Sequence, residues 1–156
     1  MVMYDSLFSP GSVLNEQVAR QVFEILPEKG PVVAIIDREQ HLLPSDSERF
    51  SSLNISESFL RQLQAKIDDG SEPVVTELND CTVVAAQLIT DRTNCGYVMI
   101  LLPKYSTESA LANFDLIETI LGEITVIARL IEKNSALYEL QVKHFSGQAQ
   151  NPTSAN

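Results

Sequence analysis

Between Ser106 and Phe145 the chain repeats in alternating steps of three and four: Ala110, Phe114, Ile117, Leu121, Ile124, Ala128, Ile131, Ser135, Tyr138, Val142 and Phe145, with Ser135 the one polar member. This is the spacing of a helical seam. No proline lies between Lys104 and Gln150, Gly122 is the only glycine before Gly147, and Ser106 or Thr107 can cap the start with Glu108 in the first turn. The pattern predicts one uninterrupted helix. At 1.5 Å per residue it would run to roughly 60 Å, against about 40 Å across a globule of this length. Its far end needs cover from elsewhere. A second stripe, Leu116, Ile120, Ile127, Leu130 and Leu137, widens the apolar arc of the first half, as in a helix lying on its own domain. Past Glu132 the stripe narrows to Leu137, Tyr138, Leu140, Val142 and Phe145, so Asn134 and Ser135 mark where the helix leaves the body. The alternative is a helix that frays there and folds back, since very long helices are uncommon.

The rest of the chain divides by period and punctuation. Residues 1–11 show no period and read as a loose arm. Ser12 can cap a helix through Leu26 with Leu14, Val18, Val22 and Ile25 on one side, ended by the segment from Pro27 to Pro31. Val32 to Ile36 is a β-branched run fit for a strand covered on both faces, and Asp37 to Gln40 turns it into a short strand around His41 to Leu43. Pro44 to Ser52 reads as polar loop. Ile55, a Ser56 cap and Leu60 then form a hydrophobic staple for a helix whose inner face is Phe59, Leu60, Leu63 and Ile67, stopped at Gly70. Three strands follow, Pro73 to Leu78, Cys81 to Thr90 and Cys95 to Leu102, joined by turns at Asn79-Asp80 and Asp91 to Asn94. Residues 146–156 bury nothing and read as a disordered tail, which leaves 12–145 as the single domain. The expected fold is α+β: a five-stranded antiparallel sheet with helices on both faces, the first and last helices on one and the middle helix on the other, and a long C-terminal helix.

Composition narrows the partners. The 156 residues, 44% hydrophobic, suffice for one core. A formal charge of -10 with no basic cluster opposes contact with a phosphate backbone, so nucleic acid is not an expected partner. The longest apolar run, Tyr97 to Pro103, is too short to span a membrane, and the acidic, Ser-rich start lacks the plan of a signal peptide. A cytoplasmic protein without membrane contact is expected.

The second half of the chain resembles the GAF domain family. The residues that carry the likeness are Ser71-Glu72-Pro73-Val74-Val75 before an acidic turn, the strand Val83 to Leu88, Asn94-Cys95-Gly96-Tyr97-Val98-Met99-Ile100, and a closing helix with Asp115-Leu116-Ile117 and Glu132 to Tyr138. The likeness covers about Ser12 to Leu140, and PAS domains and the roadblock group of small dimeric interaction proteins share much of the element order. It implies a sensory or signalling module that binds a small molecule between the sheet and a loop-rich helix layer and dimerises through its terminal helices. The motifs of the family's specialised members are missing: neither Cys81 nor Cys95 has a His neighbour for bilin attachment, two cysteines are too few for methionine sulfoxide reduction, and the cyclic-nucleotide signature Asn-Lys-Phe-Asp-Glu is absent.

No motif announces chemistry. His41 and His144 are the only histidines, no His/Cys/carboxylate grouping has metal-ligand spacing, no base accompanies either cysteine, and no glycine-rich phosphate loop is present. The expectation is a non-enzymatic chain without cofactor or metal. Thr76, Cys81 and Gln87 interrupt aliphatic strands and, with Phe50 and Phe59, are the candidate ligand-binding residues; the plainer reading makes Cys81, Phe50 and Phe59 core and gives Thr76 and Gln87 to water. A homodimer is expected through Leu14, Val18, Ile124, Ile131, Leu137, Tyr138 and Val142, the alternative being a monomer whose helix folds back on the arm at Tyr4, Leu7 and Phe8. No kinase, cyclase or DNA-binding helix pair is legible, so the module is expected to act through a partner protein. Two functions follow, a small-ligand sensor and a ligand-free dimeric scaffold of PAS or roadblock type.

Overall fold

A computed structural model describes residues 10–26, 30–104 and 106–150. The chain runs α1 (Pro10–Ile25), β1 (Val32–Ile36), β2 (Leu42–Pro44), α2 (Ser47–Ser52), α3 (Glu57–Asp68), β3 (Val74–Leu78), β4 (Cys81–Ile89), β5 (Asn94–Pro103), α4 (Thr107–Ala112) and α5 (Phe114–Gln150). The strands form one antiparallel sheet in the order β2-β1-β5-β4-β3. The α+β class, the five-stranded sheet and the long C-terminal helix are as the pattern predicts. The expected arm over 1–9 and tail over 151–156 lie outside the described residues.

Both faces of the sheet are covered, which is why the five residues of β1 are all buried. Val33 and Ile35 join Val84, Leu88, Val98 and Ile100 beneath α1 and α5, where Val18, Val22, Ile117, Ile124 and Ala128 meet them. Val32, Ala34 and Ile36 join Val83, Ala85, Met99 and Leu101 beneath α2 and α3, where Phe50, Leu63 and Ile67 meet them. The period-2 alternation of the strands sorts one run of aliphatic residues into two cores. In β5 the alternation slips. Leu88 pairs with Gly96 and Ile89 with Asn94, so Cys95 is an extra residue. This bulge turns Cys95 toward the α1–α5 face along with Val98. Gly96 sits at φ 115, and a Cβ there would stand 2.1 Å from the Ile36 carbonyl oxygen.

Local chemistry sets the helix ends. The Ser56 hydroxyl accepts from the Phe59 amide at 3.1 Å, and Ile55 and Leu60 both pack on the α3-side core. At the other end the amide of Gly70, at φ 93, donates to Ile67 and that of Ser71 to Lys66. Helix α1 starts at Pro10, two residues before the expected Ser12 cap and inside the expected loose arm, with proline where a missing amide costs nothing.

Two expectations are corrected. Pro44 to Ser52 is not all loop: Asp46 caps α2 by accepting from the Arg49 amide at 3.0 Å, and that turn holds Phe50 in the core. A single buried residue in six gives no period to read. The closing helix is not continuous either. At Asn113 the backbone leaves helical geometry, and the Ser109 carbonyl accepts from both the Asn113 amide at 3.2 Å and the Asn113 side chain at 2.9 Å before α5 begins at Phe114. Beyond that break α5 runs 37 residues, about 55 Å, with no interruption at Asn134 or Ser135 and through 146–150 of the expected tail.

Candidate functional site

The five residues proposed for ligand binding do share one layer. Thr76 alternates with buried Val74 on β3, Gln87 follows Cys81, Val83 and Ala85 on β4, and Phe50 and Phe59 come down from α2 and α3. Phe50 and Cys81 are buried core, in one apolar cluster with Leu63, Ile67 and Met99. Burial pushes the Cys81 thiol upward, partly offset by a backbone hydrogen bond from Leu102. Thr76, Gln87 and Phe59 are half-buried. Gln87 does not face water alone: its Nε2 donates to Asp68 Oδ1 at 3.3 Å, and its backbone amide donates to the Glu72 carboxylate. Tyr97 also donates to Asp68, its hydroxyl 2.9 Å from both carboxylate oxygens. Partial burial, followed by this carboxylate, raises the Tyr97 pKa. Asp68, Gln87 and Tyr97 thus clamp the end of α3 to the sheet, a link that the sequence pattern does not announce because the residues lie far apart along the chain.

Cys81 and Cys95 are both free and face opposite cores. The register places Cys81 against Pro103, at the other end of β5 from Cys95 and roughly 26 Å away at ~3.3 Å per residue. A disulfide tolerates about 7 Å between Cα atoms. Burial, then the nearby Glu132 charge, raises the Cys95 thiol to about 12. The folded protein at pH 8 is therefore expected to resist alkylation at Cys95 and to release two titratable thiols on denaturation without reductant. Recovery of a Cys81–Cys95 bridged peptide would overturn this register.

The bulge at Cys95 is tied to both terminal helices. Asn15, fully buried on α1, donates through Nδ2 to the Cys95 carbonyl at 2.6 Å, while its Oδ1 has no partner. Glu132 on α5 accepts from the Thr90 hydroxyl and from the Arg92 amide at 3.3 Å, so the β4–β5 turn is fastened to the helix where the helix leaves the body. Partial burial would raise the Glu132 carboxyl, but the hydrogen bonds from Thr90, Thr93 and Arg92, with the Arg92 charge, hold it below the ordinary range. Beside this junction a cleft of about 430 Å³ is lined by Val13, Gln17, Arg92, Glu132, Ser135 and Glu139 among others.

On the β1–β2 hairpin the structure gathers three donor side chains that no motif announces. His41 Nδ1 lies 2.8 Å from Asp37 Oδ2 and 3.7 Å from Glu39 Oε2, and one donor atom from each of the three residues falls within 4.8 Å of the others. The three residues lie in the turn between β1 and β2, where the folded turn and not a strand's alternation brings them together. The expectation that no such grouping exists is corrected at this point.

The proposed dimer residues divide in two. Leu14, Val18 and Ile124 are buried beneath α1 and α5 within the chain itself, so they serve the interior and not an interface. Ile131 is half-buried at the border of the same core. Leu137, Tyr138 and Val142 are exposed, Tyr138 at 68%, and Leu130 and Leu140 are exposed beside them. The arm offered as alternative cover lies outside the described residues. No helix among the described residues is long and apolar enough to cross a membrane. No protein-family model matches the chain, nor does any curated protein or solved structure match it significantly.

Proposed function

We propose that the protein is a non-catalytic cytoplasmic signalling module that works as a homodimer through the far end of α5 and acts on a partner protein. The observation that carries this reading is the exposed apolar stripe of Leu137, Tyr138, Leu140 and Val142, beyond the last residue that the sheet covers. Burying one such side chain stabilises by about 1.5 to 3 kcal/mol, so a set of them in water is poor design for an unassociated chain. A second copy is favoured over a strongly charged partner by the local charge. The chain as a whole is at -10, yet Arg129 to His144 carries Arg129, Lys133 and Lys143 against Glu132 and Glu139, a net +1, so two such segments meet with little repulsion to overcome. The stripe continues the seam of Ile124, Ala128 and Ile131, and two copies pairing about a two-fold axis would extend that seam into a helical bundle.

Within this reading, the α3 layer distinguishes a scaffold from a sensor. Phe50, Leu63, Ile67 and Met99 occupy the layer in which the GAF resemblance would put a ligand, which favours the ligand-free scaffold. Half-buried Thr76, Gln87 and Phe59 are what a sensor would offer to a small molecule there. Native mass spectrometry of purified protein distinguishes the two by the presence of an added small mass.

Sedimentation tests the dimer. The intact chain is expected to be dimeric at micromolar concentration, and Tyr138→Asp is expected to weaken association by about 100-fold, near 3 kcal/mol, by placing a charge in the apolar seam. A truncation after Asn134 should be monomeric and folded. A monomeric intact chain at that concentration ends the reading.

A further inference from the structure

The β1–β2 hairpin combines an imidazole and two carboxylates on one side of a rigid turn, and its dimensions are those of a coordination sphere. Donor atoms bound to one ion at about 2.1 Å stand roughly 3.0 Å apart at octahedral angles and roughly 3.4 Å apart at tetrahedral angles. The separations of 2.8 Å and 3.7 Å from His41 Nδ1 to Asp37 Oδ2 and Glu39 Oε2 bracket these values. We propose that Asp37, Glu39 and His41 bind one divalent transition-metal ion of the zinc, cobalt or nickel kind, with water completing the sphere.

The roles differ by residue. Asp37 is the fixed ligand: its side chain is only 6% exposed, and Oδ1 is taken by the amides of Glu39 and His41 at 2.9 and 2.8 Å, which leaves Oδ2 turned to the imidazole. Groups outside the hairpin hold it in place. Gln40 and buried Gln64 on α3 exchange reciprocal amide hydrogen bonds at 2.9 and 3.0 Å, and the Asp37 backbone lies against Gly96, where a Cβ would stand 2.9 Å from its Cα. His41 and Glu39 are the exposed ligands, at 57% and 42%, and give the ion its entry. The nitrogen donor sets the class of ion, since imidazole suits zinc, cobalt and nickel, whereas magnesium and calcium demand oxygen. Ordering of the site before the ion arrives limits the entropy lost on binding.

The competing account is a plain hydrogen bond from His41 to Asp37 that closes the hairpin, and titration of the full chain distinguishes the two. Calorimetry with zinc and visible absorption with cobalt are expected to give one saturable ion per chain, with magnesium and calcium at least tenfold weaker. His41→Ala and Glu39→Gln should each weaken zinc by tenfold or more, while His144→Ala should leave it unchanged. Excess zinc should raise the melting temperature of the unmodified chain and not that of His41→Ala, because an ion bound only to the folded state stabilises it. His41 is half in solvent, so near-ultraviolet circular dichroism of His41→Ala should match that of the parent and show that the fold survives. Absence of saturable zinc or cobalt binding, unchanged zinc binding in His41→Ala, or loss of binding in His144→Ala overturns the site.

Discussion

Gly96→Ala is expected to lower the melting temperature by roughly 10 °C. Two costs act together. At φ 115 the residue occupies a backbone region that a side chain rarely adopts, a strain on the order of 1 to 3 kcal/mol. Its Cβ would also stand 2.1 Å from the Ile36 carbonyl oxygen and 2.9 Å from the Asp37 backbone, where neither neighbour is the far end of a flexible side chain. Overpacking of this kind adds about 1 to 3 kcal/mol, and a domain of this size loses ~2 to 4 °C per kcal/mol. Relief requires β1 and β5 to part beside the Cys95 bulge. Gly122→Ala gives the contrast: on the exposed side of α5 its Cβ meets nothing within 4 Å, and alanine should stabilise by about 0.5 to 1 kcal/mol through helix propensity. A Gly96→Ala melting point within 2 °C of the parent would mean that the bulge is not as described.

Ile124→Asp is expected to cost about 3 to 5 kcal/mol, enough to unfold a marginal domain. Ile124 is 2% exposed on the α5 face that meets the sheet, with Val18, Ile117 and Ala128 in the same apolar cluster and no cation among them. A carboxylate there either keeps its charge without a partner or takes up a proton, and both are costly. Gln87→Leu should stay within about 1 kcal/mol, since it loses a 3.3 Å hydrogen bond to an exposed carboxylate while gaining apolar surface at a half-buried site. Urea denaturation of the two variants checks the order. A larger loss for Gln87→Leu than for Ile124→Asp would reverse the two layers.

Ile124 and Gly96 also mark how far the primary structure could be read. Ile124 belongs to a seam repeated over many turns, and a long period averages out local exceptions, so the burial of Ile117, Leu121, Ile124 and Ala128 was legible. Gly96 was legible only as a glycine near a strand start, because its constraint comes from Ile36 and Asp37, sixty residues earlier in the chain. The candidate site divides in the same way. Thr76, Cys81, Gln87, Phe50 and Phe59 could be assigned to one layer from strand alternation and helix spacing, but the clamp of Asp68 on Gln87 and Tyr97 depends on where α3 ends over the sheet.

Sequence by itself determined the order of the five strands and the three longer helices, the α+β class and the excess length of the last helix, because each follows from a period or a cap written within a few neighbouring residues. It also determined the Ser56 cap and the stop at Gly70, which are local hydrogen-bond problems with local answers. Tertiary structure alone decided the rest. It broke the closing helix at Asn113, where the backbone leaves helical geometry although the pattern of neighbouring residues alone would continue. It withdrew Leu14, Val18 and Ile124 from the outer surface by laying α1 and α5 on the sheet, and left Leu137, Tyr138 and Val142 exposed because the sheet ends before the helix does. It also folded Asp37, Glu39 and His41 onto one side of a turn, since a hairpin's geometry is fixed by the strands, α3 and Gly96 that hold it and not by the residues it displays.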